Sequence, residues 1–212
     1  MQLNLNHKRV NGIKVVAFDC DGVMFDTTLA NQTYYNTVLA QFGRPPMSPE
    51  QFRYAHAHTG EESIAYLFAE TGLTAEAETF RRRMNYFQFL HLMKIEPHLK
   101  ALLHWLRPGF GTAIATNRMD TMPRVLETFA LGPLFDCVVT ALDVPRPKPS
   151  PDALFKVADH FQVRPAEILY IGDTYVDEEA SQAAGTPFVA YGNPDLKALA
   201  HIQNLAQVRE LL

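Results

Sequence analysis

Five short runs dominated by Val, Ile and Ala recur along the chain: KVVAFD at 14–19, TAIATN at 112–117, CVVTAL at 137–142, ILYIGD at 168–173 and PFVAY at 187–191. None alternates polar with apolar residues, so each has to be covered on both faces. Helical patterns separate them, and strands of this kind form an open parallel sheet with helices on either side. The spacing predicts helices from Asp120 to Ala130 with a stop at Gly132, from a Ser150 cap to about Phe161, and from Asp177 to Ala184 with a stop at Gly185.

The alternation fails only between about Thr28 and Pro97, which reads as helices throughout: TLANQTYYNTVLAQFG, SPEQFRYAHA, EESIAYLFAE and TAEAETFRRRMNYFQFLHLM, the last capped by Thr74. An all-helical block inserted after the first strand of an α/β sheet is expected to be a second small domain. The expected division is a Rossmann-like core of residues 1–27 and 97–212 with a helical cap of residues 28–96. Open parallel sheets bind ligands at the carboxyl ends of their strands, so the cap would sit over that edge as a lid.

At that edge the first strand runs into VVAFDCDGVMFDTT, where Asp19 and Asp21 bracket Cys20. Like charges at the end of a buried strand oppose one another and resist desolvation, and a bound cation offsets both costs. The other strand ends contribute Thr116 and Asn117, then Lys148, then Asp173 and Asp177. This set suits phosphoryl transfer to a carboxylate. Mg²⁺ takes hard oxygen ligands, which Asp19 and Asp173 would offer from neighbouring strand ends. Asp19 would be the nucleophile, and Asp21, turned by Gly22, the general acid and then the base for water. Thr116 hydroxyl, the Asn117 N–H and Lys148 would hold the phosphoryl oxygens.

FDCDGVMFD, ATN, RPKPSPD and IGDTYVDEEASQAAG, in that order and each at a predicted strand end, resemble the four motifs of the haloacid dehalogenase superfamily. The likeness is to its phosphatase branch with a helical cap, the branch of phosphoglycolate phosphatase and β-phosphoglucomutase. The resemblance implies the roles above. It adds that the metal takes the backbone carbonyl of Asp21, and that Asp177 supports the site, through a metal-bound water or by holding Lys148. Val23 stands where many members carry threonine, and Met24-Phe25 replaces a more usual leucine pair, changes expected to adjust packing.

Specificity is expected from the cap, because the core motifs touch only the phosphoryl group. The stretch HAHTGEE, with His58, Thr59 and Gly60, is the polar, turn-rich candidate for substrate contact, Gly60 permitting a close turn. Arg81, Arg82 and Arg83 point in different directions on a helix and read as a solvated face. Cys20 reads as a packed thiol.

A net charge of -4 excludes a basic field for nucleic acid or an anionic membrane. Two unpaired cysteines and no apolar leader or spanning run fit a cytoplasmic protein, monomer or homodimer, acting on a small phosphorylated metabolite. A sugar phosphomutase resembling β-phosphoglucomutase shares this chemistry and remains open. A dehalogenase needs neither Asp21 nor a metal. A phosphonate-cleaving enzyme needs a cap lysine, and none lies between Thr28 and Met93. A phospho-accepting receiver domain needs an acid at the end of a middle strand, where TAIATN has none.

Overall fold

A computed structural model describes residues 10–212. The preceding stretch, which the sequence reading placed in the core without an apolar leader, lies outside the described residues. A six-stranded, all-parallel sheet forms the core, in the order β5 (Cys137–Val139), β4 (Gly111–Ala115), β1 (Val15–Phe18), β6 (Ile168–Gly172), β7 (Phe188–Tyr191) and β8 (Ala200–Ile202). All five predicted strands are present. β8 was not anticipated, because AHI is too short and too polar in its middle to stand out from loop sequence.

β1 is central, and its register aligns Phe18 with both Ile114 and Ile171. Pairing continues past the strand ends: Asp19 N–H donates to Ile171 O at 2.9 Å and Thr116 N–H to Val139 O at 3.0 Å. Parallel strands in matched register must release Asp19, Thr116 and Asp173 at one edge. Side-chain alternation divides the core in two. Val16, Phe18, Ile114, Leu169 and Ile171 pack on one face toward α5 (Leu99–Leu106), whose Leu99, Leu102, Leu103 and Leu106 are fully buried. Val15, Ala17, Ala113, Ala115 and Tyr170 face α7 (Asp152–Phe161) and α8 (Tyr175–Ala184). Three alanines on that face leave room for the buried Tyr170 ring.

The helical insert leaves through β2 (Phe25–Asp26) and returns through β3 (Lys94–Ile95), which pair antiparallel as a two-strand ribbon. Between them lie α1 (Thr28–Gln41), α2 (Pro49–Ala57), α3 (Gly60–Leu67) and α4 (Thr74–Arg83). The long helix expected from Thr74 stops at Arg83. Met84 and Asn85 are extended, the Asn85 side chain accepts from Phe87 N–H at 3.0 Å, and residues 86–92 form a tighter 3₁₀ turn. Asparagine competes for the backbone donors that a helix needs. The turn seats Tyr86 and Phe89 against Tyr34 of α1, with ring centroids 4.9 and 5.6 Å apart. Thr74 is the first helical residue rather than a side-chain cap, and the helix predicted from Asp120 is α6, Met122–Thr128. The helix predicted from a Ser150 cap begins at Asp152 after Pro151, and α8 begins at Tyr175 rather than Asp177. Among the described residues, no helix is long and apolar enough to cross a membrane.

Thr59 begins α3 with a reciprocal capping box: its hydroxyl accepts from Glu62 N–H at 3.2 Å, and Glu62 Oε2 accepts from Thr59 N–H at 2.9 Å. Loss of such a cap typically costs about 1 kcal/mol. Thr59→Ala should therefore lower the urea midpoint by that equivalent and Thr59→Ser should restore most of it. An unchanged midpoint in the alanine variant would show that the box contributes nothing.

Candidate active site

The loop after β5 carries Lys148 into the centre of the sheet edge, where it is 1% exposed. Its ammonium lies 2.8 Å from Asp19 Oδ1, 2.6 Å from Asp177 Oδ1 and 2.9 Å from the Tyr170 hydroxyl. Burial alone would depress its pKa, and the two carboxylates more than reverse that, so the lysine stays charged. Asn117 fixes the loop: its amide oxygen accepts from Lys148 N–H at 2.9 Å, and its amide nitrogen donates to Lys148 O at 2.9 Å. That nitrogen also donates to Ala57 O of the insert at 3.1 Å. Thr116 Oγ1 accepts from Arg118 N–H at 3.1 Å, leaving its own proton to donate into the cleft.

Asp177 has its lone pairs occupied. Oδ1 takes Lys148 and the Tyr170 hydroxyl, and Oδ2 accepts from the Thr174 hydroxyl and backbone N–H at 2.6 and 3.0 Å. Of the two supporting roles open to Asp177, the geometry shows the grip on Lys148. Tyr170, which sequence reading passed over as strand core, completes that grip.

Asp19, Asp173 and Asp177 form a cluster with ligand atoms within 4.8 Å of one another. Burial, with the neighbouring carboxylates adding to it, pushes Asp19 up to about 7 against the pull of Lys148, and pushes Asp173 well above the carboxylate range. Asp173 Oδ1 is buried with no hydrogen-bond donor among the described residues. An orphaned carboxylate oxygen beside a second buried acid is a donor set that fits a divalent cation.

Asp21 stands apart from this cluster. Arg118 grips it in a fork, Nε to Oδ2 at 3.0 Å and Nη2 to Oδ1 at 2.6 Å. Burial would raise the Asp21 carboxyl, but the guanidinium outweighs it and holds the group at about 2. Arg118 is braced from behind by Thr121 Oγ1 at 3.0 Å and by the Tyr86 ring, 5.0 Å from its centroid. Tyr86 OH in turn donates to Asn31 Oδ1 at 2.9 Å. Asn31 lies 3.3 Å from His56 Nδ1, and burial lowers the pKa of that imidazole. Arg118, Tyr86 and Asn31 were all missed by sequence reading. The only local signal was that Arg118 immediately follows ATN.

His58 and Gly60 line the cleft with Asp19, Asp21 and Thr116, as does Arg81. His58 is stacked on Tyr54 with centroids 3.8 Å apart, and its Nε2 lies 3.2 Å from the Tyr175 hydroxyl. Thr59 is absent from the lining because its hydroxyl serves its own helix. Gly60 makes no positive-φ turn; a Cβ there would sit 2.6 Å from Arg81 Nη1, at the mobile end of that side chain, so the glycine lets the guanidinium lie close. The arginine run therefore needs correction. Arg82 and Arg83 are exposed, but Arg81 turns inward, held by Glu78 at 2.7 Å and reaching the Tyr34 hydroxyl at 3.4 Å. Cys20 is packed as expected, its thiol pushed up by burial.

Gly22 adopts φ +85°, and a Cβ built on it would overlap the Asp173 carboxylate. Gly22→Ala should displace Asp173 and reduce turnover at least about tenfold, with stability lowered by about 1 kcal/mol or more. Full activity in that variant, by initial rates on an aryl phosphate, would show that the approach of Asp173 to this turn is dispensable.

Known proteins resemble this chain in sequence and in fold. The sequence model of the haloacid dehalogenase-like hydrolase family matches residues 16–191. The phosphoglycolate phosphatase of Nitrosospira multiformis is 29% identical over 185 residues, covering 82% of this chain and 81% of its own. A haloacid dehalogenase superfamily hydrolase of subfamily IA from Geobacter sulfurreducens superposes with a TM-score of 0.77 at 37% identity, covering 96% and 98% of the two chains. The β-phosphoglucomutase of Clostridium difficile shares the fold, with a TM-score of 0.79 at 18% identity over 94% and 96% of the chains. The chain is a member of the haloacid dehalogenase-like hydrolase family.

Proposed function

We propose that the protein is a magnesium-dependent phosphatase that hydrolyses a small phosphomonoester through an aspartyl phosphate on Asp19. The observation that carries this reading is Lys148, a buried ammonium 2.8 Å from Asp19 and anchored on Asp177, beside the orphaned Asp173 oxygen. Relatives named phosphoglycolate phosphatase make 2-phosphoglycolate the first substrate to test.

Asp19, Asp173 and the Asp21 carbonyl would hold the metal, which when bound would supply positive charge to offset that of the phosphate and the carboxylates. Thr116 hydroxyl, the Asn117 N–H and Lys148 orient the phosphoryl oxygens and stabilise charge as it gathers there. The Asp19 carboxylate attacks phosphorus, the bond to the leaving oxygen breaks, and Asp21, which takes up a proton from water once it is off Arg118, passes that proton to the leaving oxygen. Asp21 then accepts a proton from the water that cleaves the aspartyl phosphate, regenerating Asp19 and releasing phosphate. Residues 28–96 act as a cap domain over this edge, presenting His58, Gly60 and Arg81 to the leaving group.

Asp19→Asn should lower kcat by about a thousandfold or more, because it removes nucleophile and metal ligand together, while far-UV circular dichroism stays unchanged. Full turnover in that variant would end this mechanism. Chelation should abolish activity and Mg²⁺ restore it, whereas Ca²⁺, with looser and higher coordination, should not. Continuous release of inorganic phosphate separates a phosphatase from a phosphomutase, which would return the group to a sugar hydroxyl.

A further inference from the structure

Asp21 is asked to be in two places. Both its oxygens are held by Arg118, yet as the proton donor it has to reach the leaving oxygen of the substrate. The guanidinium does not follow it easily. Thr121 Oγ1 holds Nη1 at 3.0 Å, the Tyr86 ring covers one face, and the Tyr86 hydroxyl takes Nη2 at 3.3 Å. When Asp21 turns away, the Nε–Nη2 edge of Arg118 is left without an anion on a side chain only 5% exposed. A buried, uncompensated cation is strongly unfavourable. A planar carboxylate matches that edge in shape, charge and two-point hydrogen bonding.

We propose that Arg118 is a specificity-determining residue that exchanges partners: it holds Asp21 at rest and binds a carboxylate on the leaving group during turnover, releasing Asp21 to act. This rests on the phosphatase reading above and adds to it the residue that selects a phosphomonoester whose alcohol carries a carboxylate, and the way it does so. A neutral alcohol of the same length gives Arg118 no replacement anion, so Asp21 remains bound to it. The cleft thus selects for an acid through the cost of freeing its own acid, with the insert residues Tyr86 and Asn31 keeping the guanidinium in place.

The test compares 2-phosphoglycolate with ethyl phosphate, which has the same length without the carboxylate, and with p-nitrophenyl phosphate, whose leaving group needs no proton. Wild type should favour 2-phosphoglycolate over ethyl phosphate in kcat/KM by at least about thirtyfold, the scale of losing one partner of a buried charge pair. Arg118→Gln should bring the ratio near unity from both sides: 2-phosphoglycolate falls, mainly through KM, and ethyl phosphate rises because Asp21 is no longer held. A residue with a merely structural role cannot raise activity on the poorer substrate. Arg118→Lys, keeping charge without the fork, should give an intermediate ratio, and it decides the matter if the glutamine variant melts below the assay temperature. Equal losses on both esters, a lysine variant with the wild-type ratio, or a wild type that hydrolyses p-nitrophenyl phosphate yet treats the two esters alike would each overturn the partner exchange and leave the phosphatase standing. A wild type that releases no phosphate from any of the three esters with Mg²⁺ would overturn the phosphatase reading, and the exchange with it.

Discussion

A lysine ammonium sealed under the edge of a parallel sheet is the constraint around which this site is arranged. Lys148 can remain charged there only if anions meet it, and Asp19 and Asp177 do so at 2.8 and 2.6 Å. The remaining architecture holds those three groups in place. Asn117 brackets the Lys148 backbone from both sides, and Tyr170 shares Asp177 with the lysine. Gly172 lacks a side chain because a Cβ there would run into Asp177. None of these contacts is a surface ion pair of negligible worth; each partner is buried and none is close in sequence to the lysine.

One lysine does not balance Asp19, Asp173 and Asp177. The imbalance falls on Asp19 and Asp173, whose carboxyls are pushed upward by burial and by one another, whereas Asp177 is pulled down by Lys148 despite its own burial. The site is therefore built with a deficit of positive charge at a defined place, next to Asp173 Oδ1. The same imbalance that opposes folding in isolation is one that a hard cation beside Asp173 would neutralise. Arg118 does not relieve it, since that guanidinium is committed to Asp21.

The helical insert contributes a different kind of order. It is tied to the core by Asn117 to Ala57, by Asn31 to Asp21, and by the Tyr86 ring and hydroxyl on Arg118. Each link joins an insert residue to a residue at or beside the sheet edge. Movement of the insert would disturb Asp21 and Arg118 through Asn31 and Tyr86, and would reach the Lys148 loop through Asn117, whose amide nitrogen bridges Ala57 O and Lys148 O.

What the sequence determined by itself is the sheet and the residues at its edge. Apolar runs buried on both faces declare parallel strands, and parallel strands in register release their next residues together, so Asp19, Thr116 and Asp173 were legible from local pattern alone. The helical character of the insert was legible for the same reason, since periodicity and caps are short-range signals. Only the tertiary structure decided which charge meets which. Arg118 and Asp21 are 97 residues apart, and Lys148 and Asp177 29. No short-range rule reports such pairings, because an ion pair depends on separation in space and on how little water is left around it. The same limit hid the inward turn of Arg81 toward Tyr34, whereas the β8 strand was too short to stand out and the helix break at Asn85 is a local side-chain bond to Phe87 N–H. Thr59, read as a substrate contact, closes a helix instead, and there the signal was local: its hydroxyl accepts from Glu62 N–H and donates to Glu62 Oε2, which leaves nothing to offer the cleft.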